Sequence, residues 1–277
     1  MEHLNDHIEK HYGRGKILDS ILNALIKSGK DLSRLKPADL AAVDEFHIRG
    51  RQATVELASL ADLVEGSRVL DVGCGLGGSA RYLAAKYRCR VTGIDLTQEY
   101  VDIANSLTDL VGLSEQADFL QGNALNLPFE ESSFDLVWTE HVQMNIADKH
   151  QFYGEIARVL RSGGQFLFHD IFGGKKGAFH YPVPWAEDES INFLISHDEL
   201  KEFLIESDFK IDDWMDKSRE SLDWFVETKK KLQESGPPPL GFHLLIGDNA
   251  AEKFENQIKN LRENKFVVLQ ASVKKKF

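Results

Sequence analysis

The sequence predicts an α/β fold in which helices cover a mostly parallel sheet. Short apolar segments alternate with longer amphipathic stretches between residues 68 and 170, which is typical of repeated βαβ units. The first apolar segment ends in a run of glycines, as a buried parallel strand does where it turns into a helix. The 277 residues are 42% hydrophobic and 10% aromatic, which is enough for a large core and rules out a mostly disordered chain.

The apolar segments are predicted as strands, and the stretches with helical spacing as helices. The predicted strands are residues 68–72, 90–94, 117–121, 134–139, 165–170, 209–215 and 265–273. The predicted helices are residues 17–26, 51–63, 79–87, 98–110, 149–160 and 197–207. Gly163 and Gly164 are expected to end a helix and lead into the next strand. Ser196 is expected to cap the helix that follows it.

The chain is predicted to have three parts. An N-terminal helical lid covers residues 1–60, a core covers residues 61–217 and 264–277, and a cap of residues 218–263 is inserted into that core. The cap is mostly helical and is interrupted by the run Gly-Pro-Pro-Pro at residues 236–239. We expect the cap to lie over the edge of the sheet at which a ligand binds.

Composition and charge exclude several function classes. The chain has 33 Lys and Arg against 44 Asp and Glu, so its formal net charge is −11. A surface this acidic repels nucleic acid and anionic membranes, and the basic residues 274–276 are expected to form a solvated tail. The two cysteines, Cys74 and Cys89, follow neither a metal-ligand pattern nor a disulfide framework, so no metal is expected.

Residues 1–10 are polar and lack the apolar region of a signal peptide. No apolar segment of the sequence is long enough to cross a bilayer. We therefore expect a soluble, cytoplasmic protein that binds a small molecule and exists as a monomer or a homodimer.

The clearest motif is the glycine-rich segment at residues 69–78, Val-Leu-Asp-Val-Gly-Cys-Gly-Leu-Gly-Gly. Gly73, Gly75 and Gly78 match the dinucleotide pattern G-x-G-x-x-G, whereas Gly73, Gly75 and Gly77 match G-x-G-x-G. Charge favours the second pattern, because Asp71 stands just before the first glycine. A carboxylate there would repel a pyrophosphate and would suit a cationic ligand without phosphate, such as S-adenosylmethionine.

Two further strand ends carry side chains that suit a nucleoside. Asp95 ends the second predicted strand, beside Leu96, where a carboxylate can accept hydrogen bonds from both ribose hydroxyls. Asn123 and Ala124 follow the third strand and could contact adenine through a side-chain oxygen and a backbone N–H. Asn123 could instead be an ordinary turn residue.

With these residues in place, the chain resembles the class I S-adenosylmethionine-dependent methyltransferases, in particular the small-molecule branch with the ubiquinone/menaquinone, tocopherol and sarcosine/dimethylglycine enzymes. The matching pieces are the glycine-rich segment at 69–78, Asp95, Gly-Asn-Ala at 122–124, Leu-Pro-Phe at 127–129, Ser-Phe-Asp-Leu-Val at 133–137, and residues 157–165. Asn123 departs from the Asp that many members carry, but an amide oxygen can still accept from the adenine amine. The resemblance implies a seven-stranded Rossmann-like sheet whose last strand is antiparallel, and S-adenosyl-L-methionine as methyl donor with S-adenosyl-L-homocysteine as product.

Candidate catalytic residues follow the fourth and fifth predicted strands, where ligands bind in such sheets. Glu140 and His141 follow the fourth strand together with Gln143 and Asn145, and His169 ends the fifth. We expect His141 to face the substrate, because an unperturbed imidazole titrates near neutrality. The alternatives are a helix-start cluster without chemistry at 140–145 and an ordinary buried histidine at 169.

Two segments are candidates for closing the site. His47 and Arg51 precede and begin the helix that leads into the glycine-rich segment, a region that the family often uses for this purpose; a surface helix start is the alternative. Tyr181 and Trp185 lie in an aromatic loop at residues 173–189, where they could line an apolar or cation-accepting site or pack the cap.

The sequence thus predicts an enzyme that transfers a methyl group in line from S-adenosylmethionine to a small molecule. The acceptor is either an amine, as in the sarcosine/dimethylglycine enzymes, or a quinone or lipid-like ring. A nicotinamide-dependent oxidoreductase and a non-catalytic S-adenosylmethionine-binding protein are the alternatives.

Overall fold

The computed structural model describes residues 4, 5, 8, 12, 16–241, 243–246 and 249–276. Its strands are β1 (Arg68–Val72), β2 (Arg90–Asp95), β3 (Ala117–Gln121), β4 (Phe134–Glu140), β5 (Leu160–Gly173), β6 (Phe209–Asp216) and β7 (Phe266–Lys275). Its α-helices from residue 16 onward are α1 (Ile17–Lys27), α2 (Pro37–Asp44), α3 (Arg51–Ala58), α4 (Gly78–Tyr87), α5 (Gln98–Leu110), α6 (Lys149–Val159), α7 (His197–Glu206), α8 (Ser218–Ser235), α9 (His243–Ile246) and α10 (Ala250–Arg262).

The seven strands form one sheet in the order β3-β2-β1-β4-β5-β7-β6. Strands β1 to β5 pair in parallel, whereas β7 runs antiparallel to both of its neighbours, β5 and β6. The prediction of a Rossmann-like, seven-stranded and mostly parallel sheet with an antiparallel last strand is therefore confirmed. In such a sheet the carboxyl ends of parallel strands share one edge, which gathers the residues after β1, β2 and β4.

Helices cover both faces of the sheet, because side chains alternate between the faces along each strand. On one face Leu70 and Val137 pack in a core with residues of α6 and α7. On the other face Val69 and Trp138 pack with residues of α3, α4 and α5. Both faces are apolar, which is why the parallel strands appear in the sequence as almost uninterrupted hydrophobic runs.

The glycine pair at 163–164 has a different position from the one predicted. Helix α6 already ends at Val159, and Leu160 begins β5. Phe134 pairs with Leu160, but Leu136 pairs with Gln165, so residues 161–164 form a bulge opposite a single residue of β4. Gly163 has φ of 71° there, which a glycine adopts without steric cost.

Two other boundaries differ from prediction, and helix α2 (Pro37–Asp44) was not predicted. Helix α3 ends at Ala58, five residues short of the predicted end at 63. Strand β5 runs to Gly173 because its last residues pair with the start of β7. The predicted N-cap is confirmed, since the Ser196 side chain accepts a hydrogen bond from the Glu199 amide.

The cap lies between β6 and β7, and its helices α8 and α10 pack through Phe225 and Phe254, whose ring centroids are 5.1 Å apart. The Lys217 amide donates to the Val268 carbonyl (2.8 Å), and the Val268 amide donates to Ser218 Oγ (3.0 Å), so the cap begins beside β7. Residues 242, 247 and 248 of the predicted cap lie outside the described residues, as do 1–3, 6–7, 9–11 and 13–15 of the predicted lid and residue 277 of the core. Among the described helices, none combines the length and apolar character needed to cross a bilayer.

Candidate active site

A cavity of about 240 Å³ opens at the carboxyl ends of β1, β2 and β4. Its walls come from five distant parts of the chain: the N-terminal residues, the loop between α2 and α3, the strand ends, the aromatic loop, and the cap. Twelve of the residues singled out in the sequence line it: His47, Asp71, Gly73, Gly75, Asp95, Leu96, Asn123, Ala124, Glu140, His141, Asn145 and Trp185. No lysine or arginine occurs among the described residues that line it.

The glycine-rich turn needs glycine for two reasons, conformation and space. Gly73 has φ of 72°, and a Cβ there would lie 2.4 Å from the Val142 side chain. A Cβ at Gly78 would lie 2.2 Å from the Asp44 carbonyl oxygen, so the end of α2 packs directly on the start of α4. Gly77 does not line the cavity. Its role is to begin α4 with φ of 80°, tightly against Phe119.

Asp71 lines the cavity, and one oxygen of its buried carboxylate has no hydrogen-bond partner. The residue is 3% exposed, and its Oδ2 atom has no hydrogen-bond partner. Burial raises the pKa of Asp71 well above its usual value, and the nearby Glu140 and Asp95 raise it further. A buried carboxylate with a free acceptor is stabilised by a positively charged ligand and would repel a phosphate.

Asp95 connects the glycine turn to the second strand. Its Oδ2 accepts from the Gly75 amide and its Oδ1 from the Thr97 amide, both at 2.9 Å. Burial raises the pKa of Asp95, and these backbone donors oppose that rise. Each carboxylate oxygen has a second lone pair, so Asp95 can still accept hydrogen bonds from ligand hydroxyls.

The sequence left open whether Asn123 is a ligand-binding residue or an ordinary turn residue, and its position fits both. Its Oδ1 accepts from the Leu125 amide at 2.9 Å, which is the bond of a turn residue, and it also lines the cavity beside Ala124. A second lone pair on the amide oxygen remains for a ligand.

Donors from its own strand and from α4 bind Glu140, and side chains of the lid loop and of α3 lie close to it. Trp138 Nε1 donates to it at 3.0 Å, Ser79 Oγ donates to it from α4, and His47 Nε2 lies 3.2 Å from its Oε1. Thr54 Oγ1 of α3 is 3.5 Å away from both of its oxygens. Burial nevertheless raises the pKa of Glu140 from 4.5 to about 7. This carboxylate therefore fixes the loop that carries His47 onto the end of β4.

Three histidines lie close together at the cavity: His47 and His141, which line it, and His169, which does not. The His141 ring centroid is 5.4 Å from that of His169 and 6.1 Å from that of His47. His141 has φ of 54°, and its Nε2 is buried without a hydrogen-bond partner. Burial lowers the pKa of His141 well below its usual value, with the other two histidines lowering it further. His141 is therefore a neutral imidazole with a free nitrogen.

His169 does not line the cavity. It is fully buried, and its Nε2 lies 3.0 Å from the Ile48 carbonyl oxygen, while burial lowers its pKa to about 3. Its neighbour Asp170 also faces away from the cavity and accepts from the Val142 and Gln143 amides, which fixes the turn after β4. The alternative interpretation of His169, a buried structural histidine, fits this geometry better than a catalytic one.

Three more predicted site residues lie outside the cavity because their polar groups are used elsewhere. Gln143 donates to the Ile171 carbonyl, and the Tyr181 hydroxyl accepts from Asn192 Nδ2 at 2.7 Å. Arg51 pairs with Glu45 and lies 4.9 Å above the Tyr82 ring. These residues hold the turn, the aromatic loop and the lid in place.

Asn145 and Trp185 line the cavity and connect its walls. Asn145 Oδ1 accepts from the Tyr12 hydroxyl at 2.9 Å, and its Nδ2 donates to the Trp185 carbonyl at 2.9 Å. This pair of bonds ties the N-terminal residues and the aromatic loop to the turn after β4.

Sequence reasoning missed several residues that shape the site. Arg81 of α4 and Asp44 of α2 form a fully buried ion pair at 2.6 Å, Ser79 Oγ donates to Glu140, and Thr54 Oγ1 donates to Glu45 at 2.6 Å. The one signal in the sequence is Arg81, a charged residue among the apolar positions of α4. In the described residues, no group of three or more His, Cys, Asp or Glu side chains is arranged to hold a metal ion.

Part of the chain is similar to known methyltransferases. Residues 70–168 match the family model described as a methyltransferase domain. The chain is 31% identical over 175 residues to tocopherol O-methyltransferase of Arabidopsis thaliana, covering 55% of this chain and 50% of that protein. It is 35% identical over 121 residues to sarcosine/dimethylglycine N-methyltransferase of Halorhodospira halochloris, covering 43% of each. The chain thus spans about half the length, or less, of these curated relatives.

The fold has a solved counterpart over its whole length. The geranyl diphosphate C-methyltransferase of Streptomyces coelicolor A3(2), solved with S-adenosyl-L-homocysteine, has a TM-score of 0.72 and covers 98% of both chains at 15% identity. At that identity the likeness concerns the fold alone. The family match over residues 70–168 and this shared fold agree with the resemblance that the order of the sequence motifs shows.

Proposed function

We propose that the protein transfers a methyl group from S-adenosyl-L-methionine to a small molecule. The observation that carries this proposal is Asp71, a buried carboxylate with an unpartnered oxygen at the glycine turn. A sulfonium compound with an α-amino group is cationic there and carries no phosphate. The matches to methyltransferases support the same chemistry.

Each residue around the turn then has a role. Asp71 balances the positive charge of the donor's amino-acid end, while Gly73 and Gly75 let the backbone approach it closely. Asp95 accepts from the ribose hydroxyls, with Leu96 beside it, and Asn123 and Ala124 contact the adenine. When bound, the sulfonium supplies an activated methyl group, so the chain mainly has to align the acceptor and exclude water.

The lid and the cap exclude that water in our proposal. His47 is held on Glu140, and Trp185 is tied to Asn145, so both lie against the end of β4. Trp224 and Phe225 of α8 and Phe254 of α10 close the opposite wall. Binding would therefore enclose the donor and the acceptor between segments that are far apart in the sequence.

A nicotinamide-dependent oxidoreductase fits the cavity less well. Its cofactor carries a pyrophosphate, which Asp71 would repel and which would meet no lysine or arginine among the described cavity residues. A protein that binds the methyl donor without catalysis would leave the free nitrogen of His141 without a function.

Calorimetry with S-adenosyl-L-homocysteine tests the proposal. We expect binding at or below the micromolar range and no binding of NADH under the same conditions. A folded sample that does not bind S-adenosyl-L-homocysteine at sub-millimolar concentration would refute the proposed function. The cytoplasmic location and the monomeric or homodimeric state stay predictions of the sequence.

A further inference from the structure

The part of the cavity away from the glycine turn has an apolar wall. One hydrophobic cluster contributes six side chains to it, from the N-terminal residues, the lid, the turn after β4, the aromatic loop and the cap. They are Ile8, Ile48, Met144, Trp185, Phe225 and Phe254. An acceptor in contact with this wall gains affinity by burying apolar surface.

The charges around this wall do not suit an anionic acceptor. A phosphate or carboxylate would find no lysine or arginine among the described lining residues. Asp44 and Glu45 face the cavity, but each already pairs with an arginine, Arg81 and Arg51 respectively. Burying an anion without a counter-charge next to carboxylates is strongly unfavourable.

An amine acceptor is disfavoured for a different reason. An amine must lose its proton before it can attack a methyl group. Asp71, Asp95 and Glu140 carry carboxylates at the cavity. Asp71 and Asp95 bind the donor in the proposed function, so Glu140 is the remaining carboxylate of the three, and it would stabilise the protonated, unreactive form. Asp148 also lines the cavity, but it caps α6 through the Gln151 amide.

His141 supplies what a hydroxyl acceptor needs. It lines the cavity at the end of β4, and its Nε2 has no partner in the described structure. Its backbone is fixed by the bond from its amide to the His169 carbonyl (3.0 Å), and its ring stacks on the buried His169. The titratable groups that face it are His47 and His169, both of which have lowered pKa values. The ring is therefore neutral, and its unpartnered Nε2 can accept a hydrogen bond from a hydroxyl group.

We propose that the acceptor is an uncharged, apolar molecule that is methylated on a hydroxyl oxygen, and that His141 accepts the hydroxyl proton. The inference rests on the proposed function and specifies its substrate class. In the transfer, the acceptor oxygen forms a bond to the methyl carbon while the carbon–sulfur bond breaks. The electron pair stays on sulfur, which becomes a neutral thioether, and the proton moves from the oxygen to Nε2 of His141 and then to solvent.

A binding experiment tests the acceptor class. The full-length protein, saturated with S-adenosyl-L-homocysteine, is titrated with 2-naphthol, 2-naphthylmethylamine, 2-naphthoic acid and 2-naphthyl phosphate, which share one apolar skeleton. We expect 2-naphthol to bind at least tenfold more tightly than each of the others. A charged member that binds as tightly as 2-naphthol, or a 2-naphthol that does not bind, overturns the class.

The result separates this inference from the proposed function. Binding of S-adenosyl-L-homocysteine is measured first. If the protein does not bind it, both the proposed methyl donor and this inference are wrong. Saturation followed by the wrong ranking removes only the acceptor class. Binding of 2-naphthol without formation of its methyl ether from S-adenosyl-L-methionine overturns the hydroxyl as the reacting group.

The role of His141 is tested with His141→Asn, because asparagine tolerates the positive φ at this position. We expect the affinities for S-adenosyl-L-homocysteine and 2-naphthol to stay within threefold of the wild type, while methylation of 2-naphthol at pH 7 falls at least a hundredfold. With a nitro-substituted naphthol that is already ionised at pH 7, the loss should be less than tenfold, because no proton has to be removed.

The matched control is His150→Asn, whose side chain is 71% exposed beside Glu206 on the surface. This variant should methylate both phenols at the wild-type rate. If His141→Asn loses the same factor with the ionised and the un-ionised phenol, His141 does not act as the base.

Discussion

At the scale of single residues, Glu140 makes the stability of the protein depend on pH. Burial raises its pKa from 4.5 to about 7, so between these values the folded protein holds a proton that the unfolded chain has released. The group's contribution to stability is therefore fully present below pH 4.5 and is lost as pH rises through 7. The slope is up to about 1.4 kcal/mol per pH unit.

Replacing Glu140 by glutamine should flatten this dependence. The free energy of unfolding, measured in urea between pH 5 and 8, should fall less steeply with pH in Glu140→Gln than in the wild type. Part of the slope should remain, because burial also raises the pKa of Glu45 to about 7. Glu234→Gln, at a 63% exposed position of α8, should leave the slope unchanged. Parallel curves for Glu140→Gln and the wild type would contradict the prediction.

Asp95 should discriminate between ligands by their ribose. We expect Asp95→Ala to weaken binding of S-adenosyl-L-homocysteine at least tenfold in calorimetry, because the acceptor of the ribose hydroxyls is lost. The variant also loses the bond to the Gly75 amide, so affinity alone does not assign the role. The decisive comparison uses the analogue without the 2′-hydroxyl: the wild type should prefer the complete ligand, and Asp95→Ala should not.

The control for this comparison is Asp198→Ala, at a 78% exposed position on α7, which should keep the wild-type preference. If Asp95→Ala still prefers the ligand with the 2′-hydroxyl as strongly as the wild type does, another group holds the ribose.

At the scale of elements, the Arg81–Asp44 ion pair fixes the lid on the glycine turn. Both side chains are fully buried, 2.6 Å apart, and the Asp44 carbonyl lies against Gly78. Removing one partner leaves a buried charge without compensation, so Arg81→Met should lower the free energy of unfolding by roughly 3–5 kcal/mol. The double variant Asp44→Asn/Arg81→Met should regain more than half of this loss, because neither charge remains.

Urea unfolding of the three variants measures this coupling. Arg88→Met serves as the control, since Arg88 forms an exposed pair with Glu65, and its replacement should cost less than about 1 kcal/mol. A double variant as unstable as Arg81→Met would show that lost packing, and not the uncompensated carboxylate, causes the effect.

The elements show where sequence reasoning succeeds and where it fails. Strands β1 to β4 were predicted to within one residue, because their buried apolar runs and the turns that follow them are local features. Asp71, Asp95 and Glu140 were found for the same reason: parallel strands bring their ends to one edge. His169 was wrongly predicted to lie at the end of the fifth strand. Pairing with β7 extends β5 to Gly173, so residue 169 lies inside the strand.

The sequence does not show which distant residues pair with each other. Arg81 meets Asp44 across 37 positions, and Glu140 meets Ser79 and Thr54 across 61 and 86. Such contacts exist only after the sheet has formed, and no local spacing predicts them. Gln143 and Tyr181 have the polar groups of site residues, but buried backbone and side-chain partners take up those groups.

At the scale of the whole molecule, ligand binding should stabilise segments that are far apart in the chain. At a concentration 100 times the dissociation constant, S-adenosyl-L-homocysteine should add about 2.7 kcal/mol of stability, which corresponds to a rise in Tm of roughly 5–10 °C. NADH at the same concentration should cause no rise. Differential scanning fluorimetry measures both shifts.

Hydrogen exchange should show where this stabilisation acts. If the lid and the cap close over the ligand, amides in residues 44–50 and 221–258 should gain protection together with those in 71–78. Protection limited to the glycine turn would mean that the lid and the cap do not respond to the donor. A surface segment such as residues 197–206 should exchange at the same rate with and without ligand.

The way the cap joins the sheet has a consequence for how such proteins diversify. Its first residues are bonded to Val268 of β7, the strand that the cap leads into, so its entry and exit lie close together beside one strand. A segment whose ends meet in this way can change in length and sequence while the nucleoside half of the cavity keeps its shape. In the proposed function, acceptor preference can therefore diverge through replacement of this one segment, while the residues proposed to hold the donor stay unchanged.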